Sequence, residues 1–285
     1  MKKNVLITGC SGQLGHRLFH DLSNQFNIID TYRRHLDANK KLDLLEKDDF
    51  EYIFSKYNPD IVINCAAITN VDYCENNKKH CHSVNVDGLS RILSFSKANA
   101  KVIHISTDYV FDGSNEGCYS EDCATHPLNY YGKSKLESEN ILIGSNRNHL
   151  IFRVSMLFDD IHNNFFTWVL NSLKKGKQIK VATDLESNPT WIPFFSKAIM
   201  KSIFLDSSGL FHYGSDKPIS RFEFASRIAS RFNCDKQLII PVKSKDIKFM
   251  AKRPRNTSLD SSKLSDLIDM KIDNIDYALK VIGNS

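Results

Sequence analysis

Val5-Leu6-Ile7-Thr8-Gly9-Cys10-Ser11-Gly12-Gln13-Leu14-Gly15 is the stretch that decides the fold. Val5–Thr8 reads as a buried strand, and Leu14, Leu18 and Leu22 recur at four-residue spacing as the apolar stripe of a helix. The glycines between them let the backbone turn sharply and approach a pyrophosphate, whose charge would then rest on the free amides at the helix N-terminus. The spacing is G-x-x-G-x-x-G rather than the general G-x-G-x-x-G. The reading as a dinucleotide loop therefore rests on the placement between strand and helix, with a ligand-free glycine turn as its bland alternative.

Outward from this turn, short β-branched runs alternate with helical patterns. Val5–Thr8, Asn27–Thr31, Asp60–Cys65, Lys101–Thr107 and His149–Val154 read as strands. Asp48–Tyr57 reads as a helix on the spacing of Phe50, Ile53, Phe54 and Tyr57, and stops at Asn58-Pro59. Strand and helix in turn predict an α/β fold, a doubly wound parallel sheet of the Rossmann kind, with right-handed crossovers. After about residue 156 the alternation decays. The expected division is a nucleotide-binding domain over 1–156, to which parts of 191–226 return, and a smaller C-terminal substrate lobe over 157–190 and 227–285.

The 285 residues carry 41% apolar side chains, enough for a sizeable core, and a net charge of +5 without any long basic block. That excludes a nucleic-acid tail. No apolar run reaches the length of about 18 residues that a spanning helix needs, so no membrane is expected as a partner. Val5–Cys10 imitates a lipoprotein leader, but its apolar run falls short of the roughly 7–15 residues required. Seven cysteines with no Cys-x-x-Cys point to neither a disulfide framework nor a zinc ribbon and suit a reducing cytoplasm. Cys74, His80, Cys81 and His82 match no ligand spacing, so no metal is expected.

Two further strings carry chemistry. Roughly 20 residues past the loop, Asp30-Thr31-Tyr32-Arg33-Arg34 stands where an acid would take the ribose hydroxyl of NADH and an arginine the 2′-phosphate of NADPH. The arginines favour NADPH, while Asp30 leaves NADH open. In Tyr130-Tyr131-Gly132-Lys133-Ser134-Lys135, Tyr131 and Lys135 lie four apart on one helix face. A nearby ammonium favours phenolate over phenol, so Lys135 is expected to lower the Tyr131 pKa. Thr107, in His104-Ile105-Ser106-Thr107-Asp108-Tyr109, ends a strand at the carboxyl edge, where its hydroxyl can polarise a carbonyl.

Together these features resemble the extended short-chain dehydrogenase/reductase family. The resemblance implies that Thr107 orients a substrate carbonyl, Tyr131 protonates it and Lys135 holds the nicotinamide ribose, with Asn85 as the family's structural and relay asparagine. It is similar in particular to the dTDP-4-dehydrorhamnose reductase branch. Asn64-Cys65-Ala66-Ala67-Ile68-Thr69-Asn70-Val71-Asp72, Ser106-Thr107-Asp108-Tyr109-Val110-Phe111-Asp112-Gly113, Pro127–Lys135 and Arg253-Pro254-Arg255-Asn256-Thr257-Ser258-Leu259-Asp260 carry that likeness.

The branch implies reduction of a 4-keto-6-deoxy nucleotide sugar for surface polysaccharide. Its cofactor contacts would be Gly9, Ser11, Gly12, Gln13, Leu14, Gly15, Arg33, Arg34, Asp43, Leu44, Ala66, Ala67, Thr69, Asn85, Tyr131 and Lys135. Its substrate contacts would be Val71, Asp108, Tyr109, Met156 and Arg253. A homodimer is left open.

Two departures fall in the substrate lobe. Arg153-Val154-Ser155-Met156 lacks the usual tryptophan, and Asp184-Leu185-Glu186-Ser187-Asn188-Pro189-Thr190 lacks the usual glutamine and glycine. An epimerase or dehydratase is a rival, although the dehydratase branch places Glu where Tyr109 stands. A second rival is a non-catalytic regulatory subunit, because the methionine adenosyltransferase β subunit shares the Ser-x-Asp-Tyr-Val-Phe-Asp-Gly string and a double arginine.

Overall fold

The computed structural model describes residues 2–284. Strands β1 (Asn4–Thr8), β2 (Asn27–Asp30), β3 (Ile61–Asn64), β4 (Lys101–Thr107) and β5 (His149–Val154) join Gly209–Tyr213 in one parallel sheet. Across the sheet the order is Gly209–Tyr213, β5, β4, β3, β1, β2. From β1 the chain passes to β2 on one side and then to β3 on the other. The crossovers diverge there and open a crevice at the carboxyl ends of β1 and β3, where such sheets hold ligands.

Five of the six strands stand where the alternation predicts them. The sixth, Gly-Leu-Phe-His-Tyr, has no β-branched residue to flag it. It comes from the stretch expected to return to the sheet domain.

Both faces of the sheet are covered. On one face, α1 (Gln13–Leu22) buries Leu14, Leu18 and Leu22 beside the helix Ile192–Phe204, closing a core with Ile7, Ile63 and Phe152. On the other, α2 (Lys47–Tyr57) buries Phe50, Ile53 and Phe54 against Leu89, Ile92 and Leu142. This helix ends at Asn58, whose φ of 41° is left-handed and whose amide still bonds Phe54 O, just before Pro59.

A separate apolar core holds Phe158, Phe166, Trp191, Phe224, Ile228 and Leu279, with a parallel strand pair Ile179–Ala182 and Ile239–Val242 beside it. Gln13 stitches this region to the glycine turn: its Nε2 donates to Leu157 O at 3.4 Å, and its Oε1 accepts from Asn164 Nδ2 at 3.3 Å. Among the described residues no helix is long and apolar enough to cross a membrane.

A buried ion pair locks the helix Tyr130–Gly144 to β5. Glu139 and Arg153 are 1% and 5% exposed, and the guanidinium grips the carboxylate through Nε at 3.0 Å and through a terminal nitrogen at 2.7 Å. Ser106 donates to the same carboxylate from β4. Removing one partner strands a buried charge, so Glu139→Ala should cost about 3–5 kcal/mol in urea denaturation. A loss below about 1 kcal/mol would show that the site relaxes around Arg153.

Candidate active site

The site is assembled by close backbone approach at the ends of β1, β3 and β4. Gly9 has φ +71°, and a Cβ there would come within 3.0 Å of Ala66 Cα, so only glycine lets the loop after β1 lie against the loop after β3. The helix Tyr130–Gly144 is capped by Asn129, whose side chain accepts from the Gly132 amide at 2.9 Å. A Cβ on Gly132 would stand 2.1 Å from Tyr109 O. Glycine after Tyr131 thus allows the helix start to rest on the turn that follows Thr107. The Tyr109 and Tyr131 rings meet edge-on with centroids 6.1 Å apart.

Thr107, Tyr131 and Lys135 line one cleft of about 420 Å³. Gly12, Gln13, Leu14 and Gly15 of the glycine turn line it too, as do Thr69, Val71, Asp108, Tyr109 and Met156. A neighbouring hollow of about 520 Å³ is lined by Gly9, Ser11, Gly12, Arg33, Arg34, Asp43, Leu44, Ala66 and Ala67. The two share Gly12, Cys65 and Ala67 and so adjoin at the switch point.

Two candidates lie outside both spaces. Asn85 is buried beneath them, where it accepts from Ile68 N at 2.8 Å and donates to Ser134 Oγ at 3.1 Å. Arg253 turns to Asp72 at 2.9 Å and stacks over Phe249.

The ionisation of the pair differs from the expectation. Burial of the phenol pushes the Tyr131 pKa up, opposed by a hydrogen bond from the Thr107 hydroxyl, and Lys135 does not reverse it. The Lys135 amine, 2% exposed, sits 3.1 Å from His104 Nε2 instead. Its own burial brings the ammonium down to about 8 from an ordinary 10.5, with the Glu139 charge opposing. Sequence spacing placed the two side chains on one face but could not show that desolvation would dominate both.

The glycine turn fits a phosphate. Gly12 caps α1 with no side chain, and the first turn holds no acid, so no side chain of that turn competes with an anion for the leading amides. Arg33 and Arg34 are exposed and, among the described residues, have no acidic partner. Asp30 is already engaged by Lys40 at 2.9 Å and by the Tyr32 hydroxyl at 3.0 Å, and it lines neither cavity. The residues present suit a 2′-phosphate better than a free 2′-hydroxyl.

Sequence reasoning missed His104, Asn163, Asn164, Phe165, Ser187 and Arg221, the last five of which also line the cleft. Ser220-x-x-Glu223 is a readable helix start, and Ser220 Oγ does accept from Glu223 N at 3.0 Å. Nothing in it tells that the neighbouring Arg221 turns into the cleft.

Residues 2–284 match the family model described as the RmlD substrate binding domain. The chain belongs to that family. A dTDP-4-dehydrorhamnose reductase of Aggregatibacter actinomycetemcomitans is 31% identical, covering 98% of this chain and 97% of its own. Methionine adenosyltransferase 2 subunit beta of Bos taurus is 28% identical over 93% of this chain and 82% of its own. Among solved structures, the dTDP-4-dehydrorhamnose reductase of Bacillus anthracis in complex with NADP superposes with a TM-score of 0.91 at 28% identity, covering 99% of each chain.

For this RmlD-family chain the Lys135 amine makes a testable link between ionisation and folding. Between about pH 8 and pH 10.5 the unfolded chain keeps a proton that the folded chain has released, so stability rises with pH through that window and is level below it. In urea denaturation, the stability of the native protein minus that of Lys135→Met should grow from about pH 8 to about pH 10. A difference independent of pH would place the amine at its ordinary value.

Proposed function

We propose that the protein reduces the keto group of a nucleotide-linked 4-keto-6-deoxy sugar with NADPH. The observation that carries this reading is the convergence of Thr107, Tyr131 and Lys135 in a cleft that runs into the hollow of the glycine turn and Arg33. A bound nicotinamide supplies the hydride. The chain's own residues supply position and a proton. The Thr107 hydroxyl orients the carbonyl oxygen, and the Tyr131 phenol, kept neutral by burial, holds the proton that passes to it. Lys135 holds the nicotinamide ribose and offsets the charge left on the phenolate.

The amides around Ser11–Gly15 hold the pyrophosphate, Arg33 and Arg34 the 2′-phosphate, and Asp43, Leu44, Ala66, Ala67 and Thr69 border the cofactor. Val71, Asp108, Tyr109 and Met156 face the sugar. In this reading the domain over 1–156 carries the cofactor and the lobe over 157–190 and 227–285 covers the sugar nucleotide. The seven cysteines are free, which suits the cytoplasm as the place of action.

The test is NADPH oxidation, followed by absorbance, against a panel of nucleotide-linked keto-deoxysugars. Tyr131→Phe should lower turnover about 10²–10⁴-fold and leave NADPH affinity within about twofold. Near-native turnover in that variant, or tight NADP binding by a native protein that oxidises nothing, would refute the reductase reading. Arg33→Ser with Arg34→Ser should raise the KM for NADPH about 10- to 100-fold and spare that for NADH. An equal change for both cofactors would take the 2′-phosphate away from these arginines.

A further inference from the structure

We infer that Arg221 grips the diphosphate of the sugar nucleotide, so that the nucleoside leaves the cleft over Phe165 into a groove along the helix Phe165–Lys174. The inference rests on the function proposed above and names the residue that anchors its substrate. Among the described residues, only three charged ones line the catalytic cleft: Asp108, Lys135 and Arg221. Lys135 is committed at the catalytic end to His104. Asp108 is 4% exposed and receives the Thr107 hydroxyl at 3.0 Å.

Arg221 is the cation left for a ligand. It is half-buried and makes no ion pair among the described residues. Its guanidinium lies over the Phe165 ring at 5.6 Å, and among the described residues its side chain makes one hydrogen-bond contact, with the Tyr109 hydroxyl at 3.5 Å.

The Asp108 charge acts on the Arg221 guanidinium across the cleft, but among the described residues the two make no ion pair. Arg221 opens the helix Arg221–Arg231, at the positive end of the helix dipole, where a cation is unfavourable. The acid of that first turn, Glu223, pairs with Arg227 instead. Tyr109 touches both Arg221 and the Tyr131 ring, so the guanidinium stands one aromatic side chain from the phenol. In the proposed reaction, with the keto carbon at Tyr131, the anomeric diphosphate on the far side of the sugar ring would lie within reach of that guanidinium. A guanidinium fork matches phosphate oxygens two at a time, which a solvated lysine does not.

Beyond Phe165 the cleft continues into a groove of about 770 Å³, lined by Trp168, Asn171, Lys175 and Lys177 and sharing Asn163–Phe165 with it. Trp168 is 44% exposed there, a flat face for a base. Arg253, by contrast, already has Asp72.

The test is calorimetric binding of dTDP and of thymidine to the full chain and to Arg221→Met, Arg221→Lys and Arg253→Ala. Arg221→Met should weaken dTDP about 10- to 100-fold and leave thymidine unchanged, with Arg221→Lys between. Native dTDP affinity in Arg221→Met, or the loss appearing in Arg253→Ala instead, overturns the inference. A purely structural Arg221 would lower the melting temperature of the Met variant without separating dTDP from thymidine, which also overturns it. If the dTDP series holds while no keto sugar drives NADPH oxidation, the reductase reading fails alone. If turnover proceeds with an unchanged KM in Arg221→Met, the diphosphate assignment fails alone.

Discussion

One row of side chains across the sheet holds the site together. The parallel register sets Thr8 of β1 beside Asn64 of β3, and Asn64 beside His104 of β4. Thr8 Oγ1 donates to Asn64 Oδ1 at 2.8 Å, Asn64 Nδ2 meets His104 Nδ1 at 3.2 Å, and His104 Nε2 meets Lys135 Nζ at 3.1 Å. The row also reaches forward, because Thr8 Oγ1 accepts from Ala66 N, the residue against which Gly9 is pressed. All four side chains are buried. A slip of one residue in any strand would turn its member to the other face and leave buried polar groups unpaired. The register that builds the glycine turn is thereby the register that places the lysine.

Buried charge is balanced by geometry in the same region. Lys135 has a neutral imidazole at its nitrogen and the Glu139 carboxylate one helical turn further on, while Glu139 is already held twice by Arg153. Arg153 in turn lies against the ring of Phe111 and the imidazole of His212. The lysine therefore feels a carboxylate without bonding to it, and its amine rests on the His104 imidazole at the base of the cleft. The Tyr131 phenol, whose burial raises its pKa, lines the same cleft as Thr107 and Lys135.

Most of the fold was legible because its signal is local and periodic. The glycine turn, the i, i+3, i+4, i+7 spacing of α2 and the β-branched runs each need only a few neighbouring residues to be read. The strand Gly209–Tyr213 was harder, since its burial comes from lying beside β5 rather than from β-branched composition. The candidate site divides in the same way. Thr107, Tyr131 and Lys135 sit in strings whose order implies their roles. Arg221 and Asn163–Phe165 come from helix starts far along the chain, and only tertiary packing turns them into the cleft. Asp30 shows the converse: its position at the end of β2 invites a ribose contact, but Lys40 and Tyr32, ten and two residues later, take its carboxylate first.

The two departures from the branch pattern fall where the architecture tolerates them. Met156 lines the cleft at φ +35°, its carbonyl accepting from Thr190 N at 3.1 Å, so the strand pair Leu157–Phe158 and Thr190–Trp191 fixes its backbone whatever its side chain. Met is flexible and adapts to several shapes, whereas an indole would impose one. Leu185 and Ser187, where the glutamine and glycine are lost, belong to the neighbouring segment, in which Ser187 pairs with Ile219 of the second core. Side chains carried by the second core can change without disturbing the buried row of Thr8, Asn64 and His104. The row that ends at Lys135 is thus anchored in the sheet, and the departures lie on segments that lead away from it into the second core.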